Sequence, residues 1–220
     1  MFTKEPIKII DGDYYFGADN EGQKFSTYML ENWTKGGFIK TLWEKKRKGI
    51  FEDMSIFCND ITATIANENK PFMEIACGPG MGIAPLILVK NPSIPCLITD
   101  SSSHVIQGCR YFIDRYLKNN NISLASFDGK NIPIKKNSFD YVTSNLGICA
   151  ISNHKIKNAL ECGTRTVQEI YRILKPNGCL VTIEYCNIGE LHWETMFISA
   201  GFKIEHKKIH NEKVLYIARK

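Results

Sequence analysis

The segment from Glu74 to Gly82 combines residue types suited to binding a small ligand at the end of a strand. Glycine stands at every second position from 78 to 82, after a short apolar run and before a helix-length segment. Glycine lets the backbone turn sharply and approach a ligand without a Cβ in the way. Open α/β sheets bind ligands at such strand-to-helix loops. The spacing differs from the Gly-x-Gly-x-x-Gly of dinucleotide loops, because Ile83 stands where the third glycine would, counted from Gly78.

The charge of Glu74 separates two classes of ligand. A carboxylate at a strand end repels a pyrophosphate but can hold a cationic amino group. A ligand with an amino-acid tail and no phosphate therefore fits this loop better than a dinucleotide. The alternative interpretation is a tight turn that binds nothing, since a glycine-rich loop by itself is a weak signal.

Through Glu74, Gly78 and Gly80 the chain resembles the class I S-adenosylmethionine-dependent methyltransferases, whose first motif reads acid-x-Gly-x-Gly-x-Gly. Ala76 replaces the first glycine of that motif. The resemblance implies S-adenosylmethionine as cofactor, S-adenosylhomocysteine as product and a small-molecule methyl acceptor. The loop positions that it assigns to the cofactor are Glu74, Ala76, Cys77, Gly78, Pro79 and Gly80.

Asp100 closes the next apolar run, at about the interval after the loop at which an acid reaches ribose hydroxyls. The alternative role is a helix N-cap for the segment that begins near Ser103. By resemblance, Ser101 flanks the adenine, Asp128 accepts a hydrogen bond from the adenine amino group, and Phe127 supplies a backbone amide or an apolar wall.

The resemblance places Thr143–Cys149 beside the methyl donor, which adds Asn145 and Leu146 to the cofactor-binding set. This segment lacks the Pro-Pro-aromatic sequence of enzymes that methylate exocyclic amines of flipped bases. Asp140 is expected to be structural. By resemblance the turn Arg172–Gly178 is structural too, with Asn177 in a left-handed conformation where the family has glycine.

A sulfonium methyl group is already activated, so an enzyme has mainly to orient a nucleophile in line with the carbon–sulfur bond in a dry pocket. A general base is optional, and the sequence assigns no catalytic residue. Polar candidates that are equally explained as caps or satisfied core groups are Asn145, His154, Glu184 and Tyr185. No metal site is expected, because the eight cysteines are scattered without a Cys-x-x-Cys pair.

From Pro71 onward, short apolar runs alternate with helix-length segments, which predicts a mainly parallel sheet with helices on both faces. Strands are expected at Phe72–Ala76, Cys96–Thr99, Ile122–Ser126, Tyr141–Ser144 and Cys179–Tyr185. Helices are expected at Gly82–Val89, Ser103–Lys118, Lys155–Leu174 and Glu190–Ala200. Phe202–Ile209 and Lys213–Ala218 form a terminal hairpin that makes an antiparallel edge. The expected fold is a Rossmann-like α/β domain with seven strands.

Residues 1–69 are expected to form a helical extension that covers the methyl donor, ahead of a cofactor-binding domain over residues 70–220. The helices would span Glu21–Trp33, Phe38–Lys48 and Phe51–Ala66. The aromatic residues that either wall the acceptor site or simply pack the extension are Tyr14, Tyr15, Phe16, Tyr28 and Trp33. On this hypothesis, a chain without residues 1–34 keeps its sheet and loses closure of the site.

The composition is that of an ordinary globular chain of 220 residues, with 44% hydrophobic and 23% charged residues and a net charge of +5. The basic cluster at 45–48 is typical of a solvated helix face. No secretory pattern or apolar run of about 20 residues is present, so a cytoplasmic protein with reduced thiols and no membrane or nucleic-acid partner is expected. The competing hypotheses are a methyltransferase acting on RNA or protein and a non-catalytic S-adenosylmethionine-binding protein.

Overall fold

The computed structural model describes residues 1–17, 47–66, 68–114, 121–152, 159–186 and 190–220. Within these ranges the strands are β1 (Lys8–Ile10), β2 (Asp13–Tyr15), β3 (Phe72–Glu74), β4 (Cys96–Asp100), β5 (Ile122–Ser126), β6 (Phe139–Asn145), β7 (Leu174–Tyr185), β8 (Lys203–His210) and β9 (Lys213–Arg219). The α-helices are α1 (Arg47–Ile65), α2 (Ala84–Lys90), α3 (Ser103–Phe112), α4 (Gly147–Ile151), α5 (Ala159–Ile173) and α6 (Glu190–Ala200). The predicted helix Glu21–Trp33, most of Phe38–Lys48 and the aromatics Tyr28 and Trp33 lie outside the described residues.

The strands form one sheet in the order β1-β2-β5-β4-β3-β6-β7-β9-β8. The run from β2 to β7 is parallel, and β9 and β8 add the antiparallel edge. The chain builds outward from β3 through β4 to β5 and then crosses to β6 on the other side of β3. Such a reversal opens a crevice at the carboxyl ends of the strands. The predicted Rossmann-like fold and its terminal hairpin are confirmed.

Two apolar layers cover the sheet, one on each face. Helices α1, α2 and α3 pack on one face, where Phe57, Ile87 and Ile106 are fully buried. Helices α5 and α6 pack on the other, where Ile170 and Trp193 are fully buried. The central strands are buried on both faces, which explains why their sequences read as continuous apolar runs.

The first residues of the chain correct the sequence-based expectation. β1 and β2 form a hairpin whose second strand pairs in parallel with β5, so the sheet has nine strands in the described residues instead of seven. Its two turn residues, Asp11 and Gly12, have φ of 51° and 85°, as a tight hairpin turn requires. The helical extension is therefore wrong for residues 1–17. Tyr15 and Phe16 are buried in the core, where they pack this hairpin onto the sheet.

Candidate functional site

The loop that follows β3 is held between the carboxyl ends of the two neighbouring strands. The backbone amide of Ile75 donates to the carbonyl of Thr143 in β6 at 2.9 Å, so the pairing of β3 with β6 continues one residue past the end of β3. The amide of Cys77 donates to the carbonyl of Thr99 in β4, also at 2.9 Å. The glycine-rich segment therefore starts at the crevice where the strand order reverses.

Left-handed conformations shape this loop. Ala76, Gly78, Met81 and Gly82 have φ between 50° and 58°, and Gly78–Gly80 form a single 3₁₀ turn. A Cβ added at Gly78 or Gly80 would meet nothing within 4 Å, so the backbone here borders open space that a ligand can occupy. Ala76 adopts a conformation that favours glycine, which accounts for the glycine at this position of the motif.

Glu74 lies beneath the loop and not on its ligand side. Its side chain is fully buried, Thr143 Oγ1 donates to its Oε2, and a Cβ added at Gly82 would clash with its Oε1. Burial raises the pKa of Glu74 to about 8, although Thr143 and the nearby backbone amides oppose the rise. A ligand cannot reach this carboxyl group unless the loop moves. The geometry therefore favours a role in shaping the loop over the expected contact with an amino group.

Asp100 connects the loop to the next strand-to-helix junction. The amide of Gly78 donates to its Oδ2 and the amide of Ser102 to its Oδ1, both at 2.9 Å. The N-cap of α3 is Ser102, whose Oγ accepts from the amide of Val105 at 3.2 Å, so the cap interpretation of Asp100 is wrong. Burial raises the pKa of Asp100, although the hydrogen bonds from these amides oppose the rise. Each carboxylate oxygen keeps a lone pair for a further donor.

The residues expected beside the adenine follow β4 and β5, which are neighbours in the sheet. Ser101 is half-buried, and its carbonyl accepts from Ser126 Oγ at 3.1 Å. Phe127 is buried, and its amide donates to the carbonyl of Asp100 at 3.0 Å. Asp128 is partly exposed in the turn that follows, where its Oδ1 accepts from the amide of Lys130. The sheet thus brings Asp128 to the same edge as Asp100.

The segment after β6 contacts the glycine-rich loop directly. Asn145 ends the strand, and Leu146 has φ of 58° and donates from its amide to the carbonyl of Ile183 at 2.7 Å. A Cβ added at Gly147 would lie 2.9 Å from both Ala76 Cβ and the carbonyl oxygen of Ile75. Only a glycine allows this approach. The strands that carry the predicted residues, β3, β4, β5 and β6, thus end side by side at one edge of the sheet, where Glu74, Cys77 and Phe127 are buried.

A match to a known protein family accords with this arrangement. A family model described as "Methyltransferase domain" matches residues 66–218, which include the whole crevice. The chain belongs to this methyltransferase family. The resemblance to class I S-adenosylmethionine-dependent methyltransferases is thereby confirmed.

Curated relatives of this methyltransferase have low identity to it. The demethylmenaquinone methyltransferase of Staphylococcus haemolyticus is 35% identical over 65 residues, which are 30% of this chain and 23% of that protein. The ubiquinone/menaquinone biosynthesis C-methyltransferase UbiE of Rickettsia felis is 24% identical over 150 residues, covering 66% of this chain and 56% of that protein. The matched part thus spans between about a quarter and just over half of the length of these relatives.

A solved structure of an S-adenosylmethionine-dependent methyltransferase from Aquifex aeolicus shares the fold. Its TM-score is 0.55 at 13% identity, over 69% of this chain and 82% of that chain. No helix within the described residues of this methyltransferase is both long and apolar enough to cross a bilayer.

Two residues help to position the methyltransferase site, although the sequence analysis did not single them out. Thr143 bonds the buried Glu74, and Gly147 allows the segment after β6 to reach the loop. Neither stands in a spacing pattern that points to a ligand, since both act through contacts between separate strands. Asp140, expected to be structural, lies at the opposite edge and bonds Lys175 Nζ at 2.7 Å.

The polar candidates for catalysis lie in different surroundings, and only some of them are near the crevice. Glu184 is fully buried, and the carbonyl of Tyr185 accepts from Trp193 Nε1 at 3.0 Å. His154 lies outside the described residues. Asn145 remains at the crevice, half-buried at the end of β6.

Proposed function

We propose that this chain is an S-adenosylmethionine-dependent methyltransferase that transfers a methyl group to a small-molecule acceptor by in-line displacement. The observation that carries the proposal is the hydrogen bond from the amide of Gly78 to Asp100, in a chain of the methyltransferase family. This bond ties a ligand-facing backbone to a carboxylate that can accept from ribose hydroxyls. The open space beside Gly78 and Gly80 fits a ligand that lies against the backbone.

The proposed roles follow from the positions of the side chains. S-adenosylmethionine supplies an activated sulfonium methyl group when bound. Asp100 accepts from the ribose, Asp128 accepts from the adenine amino group, and Phe127 walls the ring. Asn145 and Leu146 border the side from which an acceptor approaches. Glu74 supports the loop from below, and catalysis rests mainly on orientation and exclusion of water.

The small-molecule acceptor is supported by the names of the relatives, which act on demethylmenaquinone or in ubiquinone/menaquinone biosynthesis. Demethylmenaquinone is therefore the first acceptor to assay. A cytoplasmic location and the absence of a nucleic-acid partner stay predictions from the sequence. A non-catalytic binding protein is the alternative, and transfer of label from S-adenosylmethionine to an acceptor separates it from an enzyme.

Calorimetric titration tests the cofactor assignment directly. We expect the purified protein to bind S-adenosylhomocysteine and S-adenosylmethionine and to give no response to NAD. Asp100→Ala should weaken the binding of both by about tenfold or more, because it removes the ribose acceptor and releases Gly78. Asp140→Ala is the matched control, since it removes another partly buried acid from the opposite edge, and it should bind normally. Binding of NAD without binding of either sulfur nucleoside would overturn the assignment.

A further inference from the structure

Glu184 is a fully buried carboxylic acid at the carboxyl end of β7, beside the crevice. Its Oε2 accepts from the backbone amide of Cys149 at 2.9 Å, and its Oε1 is hydrogen-bonded to Thr182 Oγ1 at 2.7 Å. Burying such a group is costly unless both oxygens are satisfied. Both are satisfied here, one of them by a segment that belongs to a different part of the site.

The amide that Glu184 holds lies in the first turn of α4. The first amides of a helix lack partners inside it and are usually satisfied by a capping side chain. Leu146, the residue before α4, has a left-handed conformation and provides no side-chain cap. The buried carboxyl group of the neighbouring strand takes the place of that cap, and the amide of Ile148 is also directed toward it.

The turn held by Glu184 contacts the glycine-rich loop. Gly147 is so close to Ala76 and to the carbonyl of Ile75 that even a methyl group would not fit between them. A shift of α4 therefore moves the wall of the loop, and with it Leu146 at the side of the crevice. The path from β7 to the loop runs through directly touching groups, of which Glu184 and Gly147 are buried.

We propose that Glu184 is a positioning residue, which holds the first turn of α4 so that Leu146 and Gly147 support the glycine-rich loop in the shape that binds the cofactor. The inference rests on the proposed function, because the ligand of the loop is taken to be S-adenosylmethionine. Glu184 acts through these two residues and does not touch the cofactor.

The chemistry of the Glu184 carboxyl group indicates which substitution should preserve its positioning role. Burial raises the pKa of Glu184 to about 8, so the neutral acid predominates at neutral pH. Glu184 accepts from the amide of Cys149 through Oε2 and from Thr182 Oγ1 through Oε1. Glutamine keeps an acceptor oxygen for the amide of Cys149, and its amide nitrogen donates to Thr182 Oγ1, since a hydroxyl accepts as well as donates. Alanine removes both and leaves the amide of Cys149 without its partner.

Titration with S-adenosylhomocysteine, which needs no knowledge of the acceptor, tests the inference. Glu184→Ala should weaken binding by about tenfold, because a buried donor loses its acceptor at the support of the loop. Glu184→Gln should restore binding to within about threefold of the unmodified protein. Val181→Ala is the matched control: it also truncates a buried residue of β7, but on the opposite face, and it should lower stability without changing affinity.

Each outcome distinguishes this inference from the proposed function. If the unmodified protein does not bind S-adenosylhomocysteine, the proposed function fails. If it binds and Glu184→Ala binds equally well, the positioning role of Glu184 is wrong. A loss of affinity in Val181→Ala as large as that in Glu184→Ala contradicts the role as well, because general loosening then explains both. Should Glu184→Ala not fold, Thr182→Val carries the test, with an expected loss of a few-fold.

Discussion

Two neighbouring residues, Glu74 and Gly82, show why the loop after β3 needs its particular sequence. Gly82 has φ of 57°, and its missing side chain leaves just enough room for the buried carboxyl group. Gly80, two residues earlier, borders open space instead. The glycines at 80 and 82 therefore serve different purposes, one toward the ligand and one toward the protein interior.

Alanine substitutions should separate these two purposes. Gly82→Ala should lower the free energy of unfolding by about 3 kcal/mol, because it combines a strained left-handed backbone with a clash against Glu74. Gly80→Ala should change it by less than about 0.5 kcal/mol, since the added methyl meets no atom within 4 Å. Urea denaturation measures both. Equal losses in the two variants would contradict the packing of Glu74 beneath Gly82.

Among the secondary-structure elements, the N-terminal hairpin is joined to α3 by an ion pair. Arg110 Nε donates to Asp13 Oδ2 at 3.1 Å, and Arg110 Nη2 bonds Asp13 Oδ1. Asp13 in β2 is 2% exposed, whereas Arg110 is 21% exposed at its side chain. A buried carboxylate of this kind is costly without its partner. The pair therefore ties the added strands to a helix of the cofactor-binding fold.

Removing the partner of Asp13 should be more costly than breaking an ion pair at the surface. Arg110→Ala should reduce the free energy of unfolding by about 3 kcal/mol, because Asp13 is left buried without its ion-pair partner. Glu205→Ala is the control, since it breaks an exposed pair with Arg219 and should cost about 1 kcal/mol or less. The double variant Asp13→Asn with Arg110→Ala should be more stable than Arg110→Ala alone. If the double variant is less stable, the unpaired charge is not the cause.

For the molecule as a whole, two buried carboxylic acids link folding to pH. Glu74 and Glu184 each have a pKa raised to about 8 from the ordinary value of 4.5, chiefly because burial disfavours the charged form. Between these two pH values the folded protein binds more protons than the unfolded chain. The contribution to stability is therefore fully present below about pH 4.5 and is lost as the pH rises toward 8.

The free energy of unfolding should consequently fall between pH 5 and pH 8. Each group contributes a slope of about 1.4 kcal/mol per pH unit where it is protonated only in the folded state. Glu74→Gln and Glu184→Gln should each make the decline less steep, because glutamine does not ionise. Urea denaturation at several pH values measures the slopes. Identical slopes in the unmodified protein and both variants would show that neither acid is protonated in the folded state.

Much of this fold was readable from the sequence because it depends on local patterns. The runs from Cys96 and Ile122 became strands within one residue of the predicted ends, since buried parallel strands need continuous apolar residues. Asn177 has φ of 62°, as expected for a turn in which asparagine replaces glycine. The N-terminal hairpin also has a local signal, the pair Asp11-Gly12 between apolar residues, which predicts a turn where the sequence analysis expects a helical extension.

The glycine-rich loop and Asp100 were likewise recognisable from residue type and spacing along the chain. The tertiary structure decided which way the groups face. Glu74 has the same sequence context whether it points toward a ligand or beneath the loop, and only the contact with Thr143 and Gly82 places it beneath. Glu184 lies 35 residues from the amide that it holds. Contacts between distant segments arise only when the sheet brings their strands side by side, so no local pattern encodes them.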